Sequence, residues 1–396
     1  MTGQFFKSSS IIAKKSAQCD LNVGVVFPGY GYERVSYALP QEEISFKRIY
    51  SLPIHRLLKK NNFYKNTPVV LDYGVDLIHT WNAIPLTRKP FVISFENELP
   101  RYFGKTARWQ KRLGYTLLES RRCRAILALS DIAAKLLVKK VTEDGFPRIV
   151  KKIQVFRGGV SIEPNVRNNS VFKKGDVLEL IFVGNDAFPK GFVPAFEAIE
   201  KLVRNGAKIK LTVIGGFKKT GYLLKEFSPE EGFWLRKVKE TLWINYHEKL
   251  QNHEVIDKMA KSHLLIYPSY DESLGWAVVE AGLLGVPSIT TNIFALKELV
   301  LHQVSGFVIE LNLGKQTRWQ GVWSKGVEFE QELDQANKVI TEGVTTALLS
   351  VFSDPSILEK WGEAVKKKMK NMYEVEQASK DLALIYKEAL ESPWDY

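Results

Sequence analysis

The chain has almost no cysteine. Two, Cys19 and Cys123, stand among 396 residues, far apart and without CxxC spacing, which excludes a disulfide framework and suggests no zinc site. A reducing compartment such as the cytoplasm is expected. No apolar run approaches the roughly 18 residues needed to cross a bilayer, and Met1 to Asp20 carries scattered lysines without a continuous signal-peptide core. A soluble or peripheral protein is therefore expected. Low-complexity tracts and short-period repeats are also missing, which excludes solenoid and linker-like architectures.

What is present suffices for two cores. A chain of 396 residues, 45% hydrophobic, exceeds the size at which one core keeps growing. The net charge of +12 is unevenly placed. Residues 1–170 hold 28 Lys and Arg against 13 Asp and Glu, a net +15, while the remainder holds 28 against 31, a net −3. The excess concentrates between Lys105 and Lys152. There, Trp109, Leu113 and Leu117 fall near one helical face, with Arg108, Lys111, Arg112, Arg121 and Arg122 around it. Such a helix reads either as a contact for a membrane surface or polyanion, or as a solvated helix packing its stripe on the core.

The most informative stretch runs from Leu264 to Ile309. The apolar run Leu264 to Tyr267 ends at Pro268 as a buried strand does at a sheet edge. A loop follows from Ser269 to Gly275, then a helix from Trp276 to Leu284 closed by Gly285, then a second strand from Ser288 to Thr291. This is a βαβ unit. Glu280 lies on its nearly all-apolar helix, where an ionised group costs several kcal/mol without a hydrogen-bonding partner; a ligand's hydroxyl pair would supply one. Glu272 lies in the loop at the carboxyl end of the preceding strand, where open α/β sheets place ligands.

Further strands are expected at Leu21 to Phe27, Leu77 to His79, Phe91 to Phe95, Ala125 to Ala128 and Ile153 to Phe156, alternating with helical or irregular segments, hence a mostly parallel sheet. Gly29 and Gly31 follow the first of these and let backbone amides approach a phosphate or sugar. Leu178 to Val183 forms a strand that runs into Gly184 and, through a polar loop, to Lys190, Gly191 and an amphipathic helix. A lysine near a helix start suits a pyrophosphate. Residues 313–332, with Trp319 and Trp323 and little periodicity, read as an insertion, and Ile357 to Leu390 is helical in pattern.

Glu272, seven intervening residues, Glu280 and the turn from Gly285 to Pro287 resemble the signature of retaining glycosyltransferase family 4, within glycosyl transferases group 1. The resemblance implies an α/β GT-B fold: two Rossmann-like doubly wound domains facing a cleft, 1–168 for acceptor and 169–372 for nucleotide sugar, with a C-terminal helix, 373–396, crossing back to the first domain. It implies that Glu272 contacts hydroxyls of the donor hexose, that Glu280 binds the ribose, and that backbone amides at Leu274 and Gly275 meet the diphosphate. Lys190 would stabilise the departing nucleotide, close to Gly184, while Gly29 and Gly31 resemble the family's Gly-rich loop. Ile126 to Ser130, Val155 to Val160 and Leu211 to Gly216 resemble further family strands. Two positions depart from the pattern. Many members carry His where this chain has Glu96, and Arg where it has Asn185; Glu96 is left to hydrogen-bond a donor hydroxyl or face the acceptor.

The resemblance implies a retaining hexosyl transfer from a nucleoside-diphosphate sugar to a hydroxyl of a glycan acceptor, in cell-surface polysaccharide or glycolipid synthesis. No metal and no cofactor beyond the donor is called for. The basic first domain suggests a lipid-linked or otherwise anionic acceptor at the cytoplasmic membrane face, through residues 105–152, and nucleic acid is not the expected partner. A GT-B nucleotide-sugar epimerase and a non-catalytic glycan- or nucleic-acid-binding protein stay open as alternatives.

Overall fold

The computed structural model describes residues 21–26, 44–54, 63–102, 107–162, 171–217 and 232–391. Their first sheet comprises β1 (Leu21–Val26), β2 (Ile44–Ser51), β3 (Val70–Leu71), β4 (Leu77–Trp81), β5 (Phe91–Phe95), β6 (Cys123–Ala128) and β7 (Ile153–Val155), in the order β3-β2-β1-β4-β5-β6-β7. β1 runs parallel to β2 and β4, and β4 parallel to β5. The short edge strand β3 is antiparallel to β2 and sets Leu71 opposite Tyr50. Every residue of β4 and β5 is buried, as strands covered on both faces require.

The second sheet has the order β10-β9-β8-β11-β12-β13, from β8 (Leu178–Asp186), β9 (Ile209–Gly216), β10 (Ile244–His247), β11 (Leu264–Tyr267), β12 (Ser288–Thr291) and β13 (Gly306–Ile309). All of its pairings are parallel. From β8 the order proceeds outward through β9 and β10 on one side and through β11 to β13 on the other. The switch between β8 and β11 is the place where such sheets leave a crevice at the carboxyl ends of their strands.

The helices between these strands are α1 (Phe63–Asn66), α2 (Arg108–Glu119), α3 (Asp131–Glu143), α4 (Phe192–Arg204), α5 (Phe233–Glu240), α6 (Asn252–Ala260), α7 (Trp276–Leu284) and α8 (Leu296–Leu299). Three longer helices end the chain: α9 (Val327–Ser353), α10 (Ser356–Tyr373) and α11 (Val375–Glu391). The stretch expected as one helical pattern over 357–390 is thus two helices, parted at Glu374, whose ψ of 124° is extended. The stretch expected as an insertion over 313–332 gives way to α9 at Val327; before it lie only two short 3-10 turns, Lys315–Thr317 and Gln320–Val322.

The chain divides into two compact units, Met1–Ser94 with Pro100–Ile126 and Ser379–Tyr396, and Phe95–Leu99 with Leu127–Ala378. In the first, most of α11 is tied to the sheet by a buried polar trio. His79 on β4 is fully buried, with Nδ1 2.6 Å from the Tyr386 hydroxyl and Nε2 2.8 Å from that of Ser94. Burial holds its imidazole neutral, with a pKa lowered to about 3. On α2, Tyr115, Leu117 and Leu118 pack inward. Trp109, in the first turn, leans on Phe63 at 5.7 Å between centroids but stays 59% exposed beside exposed Arg108 and Arg112. The apolar stripe is therefore divided, its later part in the core and its tryptophan in solvent.

In the second unit, α7 reads WAVVEAGLL, apolar nearly all round, which fits a helix covered on several sides. Val278, Val279 and Ala281 are fully buried. Among the described residues no helix is long and apolar enough to cross a membrane.

Candidate active site

The site is assembled at the carboxyl ends of β8 and β11. Beyond β8 the chain turns through Ala187 to Lys190, with the N–H of Gly191 donating to Phe188 O at 3.0 Å, and enters α4. Gly191 has φ 76°, and a Cβ there would lie 2.1 Å from the carbonyl oxygen of Pro268. Only glycine permits both the left-handed turn and this approach, which brings Lys190 against the end of β11. Gly184 serves the same closeness, since a Cβ on it would stand 2.9 Å from Lys190 Cγ. The loop after β11 is fastened to the Lys190 loop: Tyr270 N–H and Ser269 Oγ–H both donate to Pro189 O, at 2.9 and 3.1 Å.

Lys190 and Glu272 meet there. Lys190 Nζ lies 2.6 Å from Glu272 Oε2 and donates to Asp271 O at 3.2 Å. The Tyr267 hydroxyl donates to the same carboxylate oxygen at 2.5 Å, and Ser273 N–H donates to Oε1 at 2.9 Å. Burial works to raise the Glu272 carboxyl, but the Lys190 ammonium and these hydrogen bonds outweigh it and hold the pKa below the usual carboxylate range. The pair is an ion pair at neutral pH.

After Glu272 the loop reaches buried Leu274 and then Gly275, whose φ of 93° opens α7. The first N–H groups of a helix lack acceptors within it and attract anions. Glu280 follows in the second turn of α7, half-buried and hydrogen-bonded by Asn252 at the start of α6. Burial pushes its carboxyl up to about 7, against the lowering effect of Asn252. The sequence-predicted residues Gly184, Lys190, Glu272, Leu274, Gly275 and Glu280 all lie in the second unit, at the end of β8, in the loops after β8 and β11, and on α7.

Glu96, also predicted, follows β5 and is half-buried. Its neighbour Asn97 reaches the loop after β11, Nδ2 donating to Ser273 Oγ at 3.3 Å, while its buried Oδ1 has no hydrogen-bond partner among the described residues. Asn185 is exposed. Gly29 and Gly31 lie outside the described residues. Among the described residues no group of three or more His, Cys, Asp and Glu is placed to hold a metal ion. Sequence reasoning missed Tyr267, Asn97, Asn252, and the pair formed by Arg318 and Asp271, Nη1 to Oδ1 at 2.6 Å. Only Tyr267 left a trace, as a polar tip at the end of an apolar strand.

Residues 165–317, which contain these positions, match the sequence family described as glycosyl transferases group 1. This segment belongs to that group. The group 1 segment covers every site residue named above from Gly184 to Glu280. A curated relative, glycogen synthase of Mycobacterium tuberculosis, is 26% identical over 128 residues, 32% of this chain and 29% of the relative. The match therefore spans under a third of that protein's length. Among solved structures, a glycosyltransferase from Rickettsia africae superimposes with a TM-score of 0.59 at 17% identity, covering 94% of this chain and 99% of that one. Anabaena HepE, solved with UDP and glucose, gives 0.55 at 13% identity, covering 92% and 91%. At such identities the likeness shows the fold, which is GT-B.

Proposed function

We propose that the protein is a retaining glycosyltransferase of family 4, moving a hexosyl unit from a nucleoside-diphosphate sugar to a hydroxyl of a glycan acceptor. The observation that carries this reading is the Lys190–Glu272 pair at the switch between β8 and β11, next to the start of α7. The group 1 match over 165–317 and a fold shared with HepE support it.

In this reading the diphosphate sits between Lys190 and the amides around Gly275, Glu280 receives the ribose hydroxyls, and Glu272 receives hydroxyls of the hexose. The bond between the anomeric carbon and the β-phosphate oxygen breaks, and the oxygen keeps the electron pair. Lys190 and the amides take up the charge that develops there, in a site where such stabilisation is worth far more than in water. The acceptor oxygen bonds to the anomeric carbon on the same face and passes its proton to the phosphate, which leaves as nucleoside diphosphate. This chemistry calls for no metal and no cofactor beyond the donor. Asn185, in place of the family's arginine, leaves Lys190 as the main cation.

The acceptor is proposed to be lipid-linked or otherwise anionic, presented at the cytoplasmic face of a membrane during cell-surface polysaccharide or glycolipid synthesis. The +15 over residues 1–170 and the exposed Trp109 between Arg108 and Arg112 support this, since anionic lipid attracts such a patch by about 1 kcal/mol per basic residue.

The test is product analysis with nucleotide sugars under slow turnover, water serving as acceptor. Nucleoside diphosphate and a sugar first released with the donor's anomeric configuration are expected. Inversion would exclude the retaining chemistry, an epimerised nucleotide sugar would indicate an epimerase, and no turnover with any donor would favour a binding protein.

A further inference from the structure

The segment between β13 and α9 grips the loop that holds the Lys190–Glu272 pair. Arg318 Nη1 donates to Asp271 Oδ1 at 2.6 Å, with both side chains nearly buried, 13% and 12% exposed. Its guanidinium also lies 5.7 Å from the ring centroid of Phe294. The next residue, Trp319, is 1% exposed and packs its ring 5.2 Å from that of Tyr270. Asp271 and Tyr270 are thus held on one side by Arg318 and Trp319. On the other side, Tyr270 N–H donates to Pro189 O at 2.9 Å and Asp271 O accepts from Lys190 Nζ at 3.2 Å.

The backbone that carries Arg318 is strained. Gln316 and Thr317 have φ of 58° and 54°, and Phe294, whose N–H donates to Thr317 O at 2.9 Å, has φ of 40°. Three non-glycine residues in the left-handed region, beside one another and beside the site, persist only where surrounding packing fixes them, and such clusters gather at functional sites. Here Trp319 supplies that packing, with Gln320 N–H donating to Asn312 O at 2.9 Å and Gly314 N–H to Arg318 O at 2.8 Å.

We propose that Arg318 is a positioning residue for Lys190, acting through Asp271: its bond to the Asp271 carboxylate fixes the loop whose carbonyl oxygen holds the Lys190 ammonium. The proposal rests on Lys190 being the cation that receives the diphosphate.

The test compares wild type with Arg318→Ala, Arg318→Lys, Asp271→Asn and the double variant Arg318→Ala/Asp271→Asn, each checked for cooperative thermal unfolding. The first readout is amide hydrogen exchange over residues 268–275, which needs no nucleotide. Exchange in Arg318→Ala is expected to rise about tenfold, as local opening becomes easier, with Arg318→Lys between it and wild type. The second readout is donor cleavage. A fall in kcat of about tenfold is expected for Arg318→Ala, with donor KM within about threefold, as for loss of alignment. Because Arg318 acts through Asp271, the double variant is expected to be no worse than the worse single one. Wild-type exchange and kcat in Arg318→Ala, or additive losses in the double variant, would overturn the proposal. Wild type that binds no nucleoside diphosphate and cleaves no donor would instead overturn the functional reading, while the exchange result would still decide whether Arg318 braces the loop.

Discussion

Lys190 and Glu272 are 2.6 Å apart, and Glu272 has two further donors while Lys190 has one further acceptor. The carboxylate is therefore anchored by Tyr267 and Ser273 even when the ammonium turns to another anion. A diphosphate can draw the cation without leaving Glu272 unsatisfied. Lys190→Ala is expected to lower kcat for donor cleavage about 10²- to 10³-fold, the range for losing one preorganised donor to a developing oxyanion. Circular dichroism should show the fold retained. Lys190→Ala with wild-type turnover would remove the lysine from the mechanism.

Glu280 supplies a pH dependence. Its carboxyl is pushed up to about 7 from 4.5, so between those values the folded chain binds more protons than the unfolded one, and stability falls as pH rises through that window. In the proposed complex the ribose hydroxyls would donate to the ionised carboxylate, so nucleotide binding would work in the opposite direction. Affinity for the cognate nucleoside diphosphate is expected to rise about tenfold from pH 6 to pH 8, and Glu280→Gln should bind more weakly with that component gone. Isothermal titration of both proteins at the two pH values measures it; identical pH profiles would count against the ribose assignment.

His79 titrates with the other sign. Its folded pKa of about 3 lies below the usual 6.5, so the unfolded chain takes a proton that the folded chain refuses. The stability this gives is complete above pH 6.5 and is lost as pH falls towards 3. From pH 7 to pH 5 the loss is about 2 kcal/mol. Urea unfolding of wild type and His79→Gln at both pH values should show this extra acid sensitivity in wild type alone.

Gly191→Ala tests the packing that joins the two loops of the site. A Cβ would sit 2.1 Å from Pro268 O at a φ of 76°, and a backbone carbonyl cannot swing away as a side-chain tip can. A loss of about 2–4 kcal/mol is expected, read as a melting temperature lower by roughly 5 °C or more. An unchanged melting temperature would show that β11 and the Lys190 loop are not so closely joined.

Much of this arrangement was legible in the sequence. β11, α7 and β12 stand where the apolar runs and the punctuation by Pro268, Gly275 and Gly285 put them, because buried parallel strands and a covered helix leave unbroken apolar text. β2 was not legible, since ISFKRIYS mixes exposed Lys47 and Arg48 with buried Ile44 and Ile49. Nor was β10, four residues long and largely half-exposed. The division between α10 and α11 at Glu374 carries no proline or glycine to announce it. Among the candidate residues, Lys190, Glu272 and Glu280 stand out in the sequence by their places after strands and on a helix. Arg318 and Asp271 lie 47 residues apart, and Asn252 and Glu280 stand on different helices. Such pairs are set by tertiary packing, which local pattern does not record.

Everything proposed for this chain depends on a nucleoside-diphosphate sugar binding at Lys190, Glu272 and Glu280. The most direct test is a thermal-shift screen of wild type and Glu280→Ala against UDP, GDP, ADP, CDP and dTDP with their common sugars, since a ligand that binds only the folded chain raises its melting temperature. Stabilisation of wild type by one base family and its loss in Glu280→Ala are expected; no shift with any nucleotide, or an equal shift in both proteins, would show that no such donor binds there.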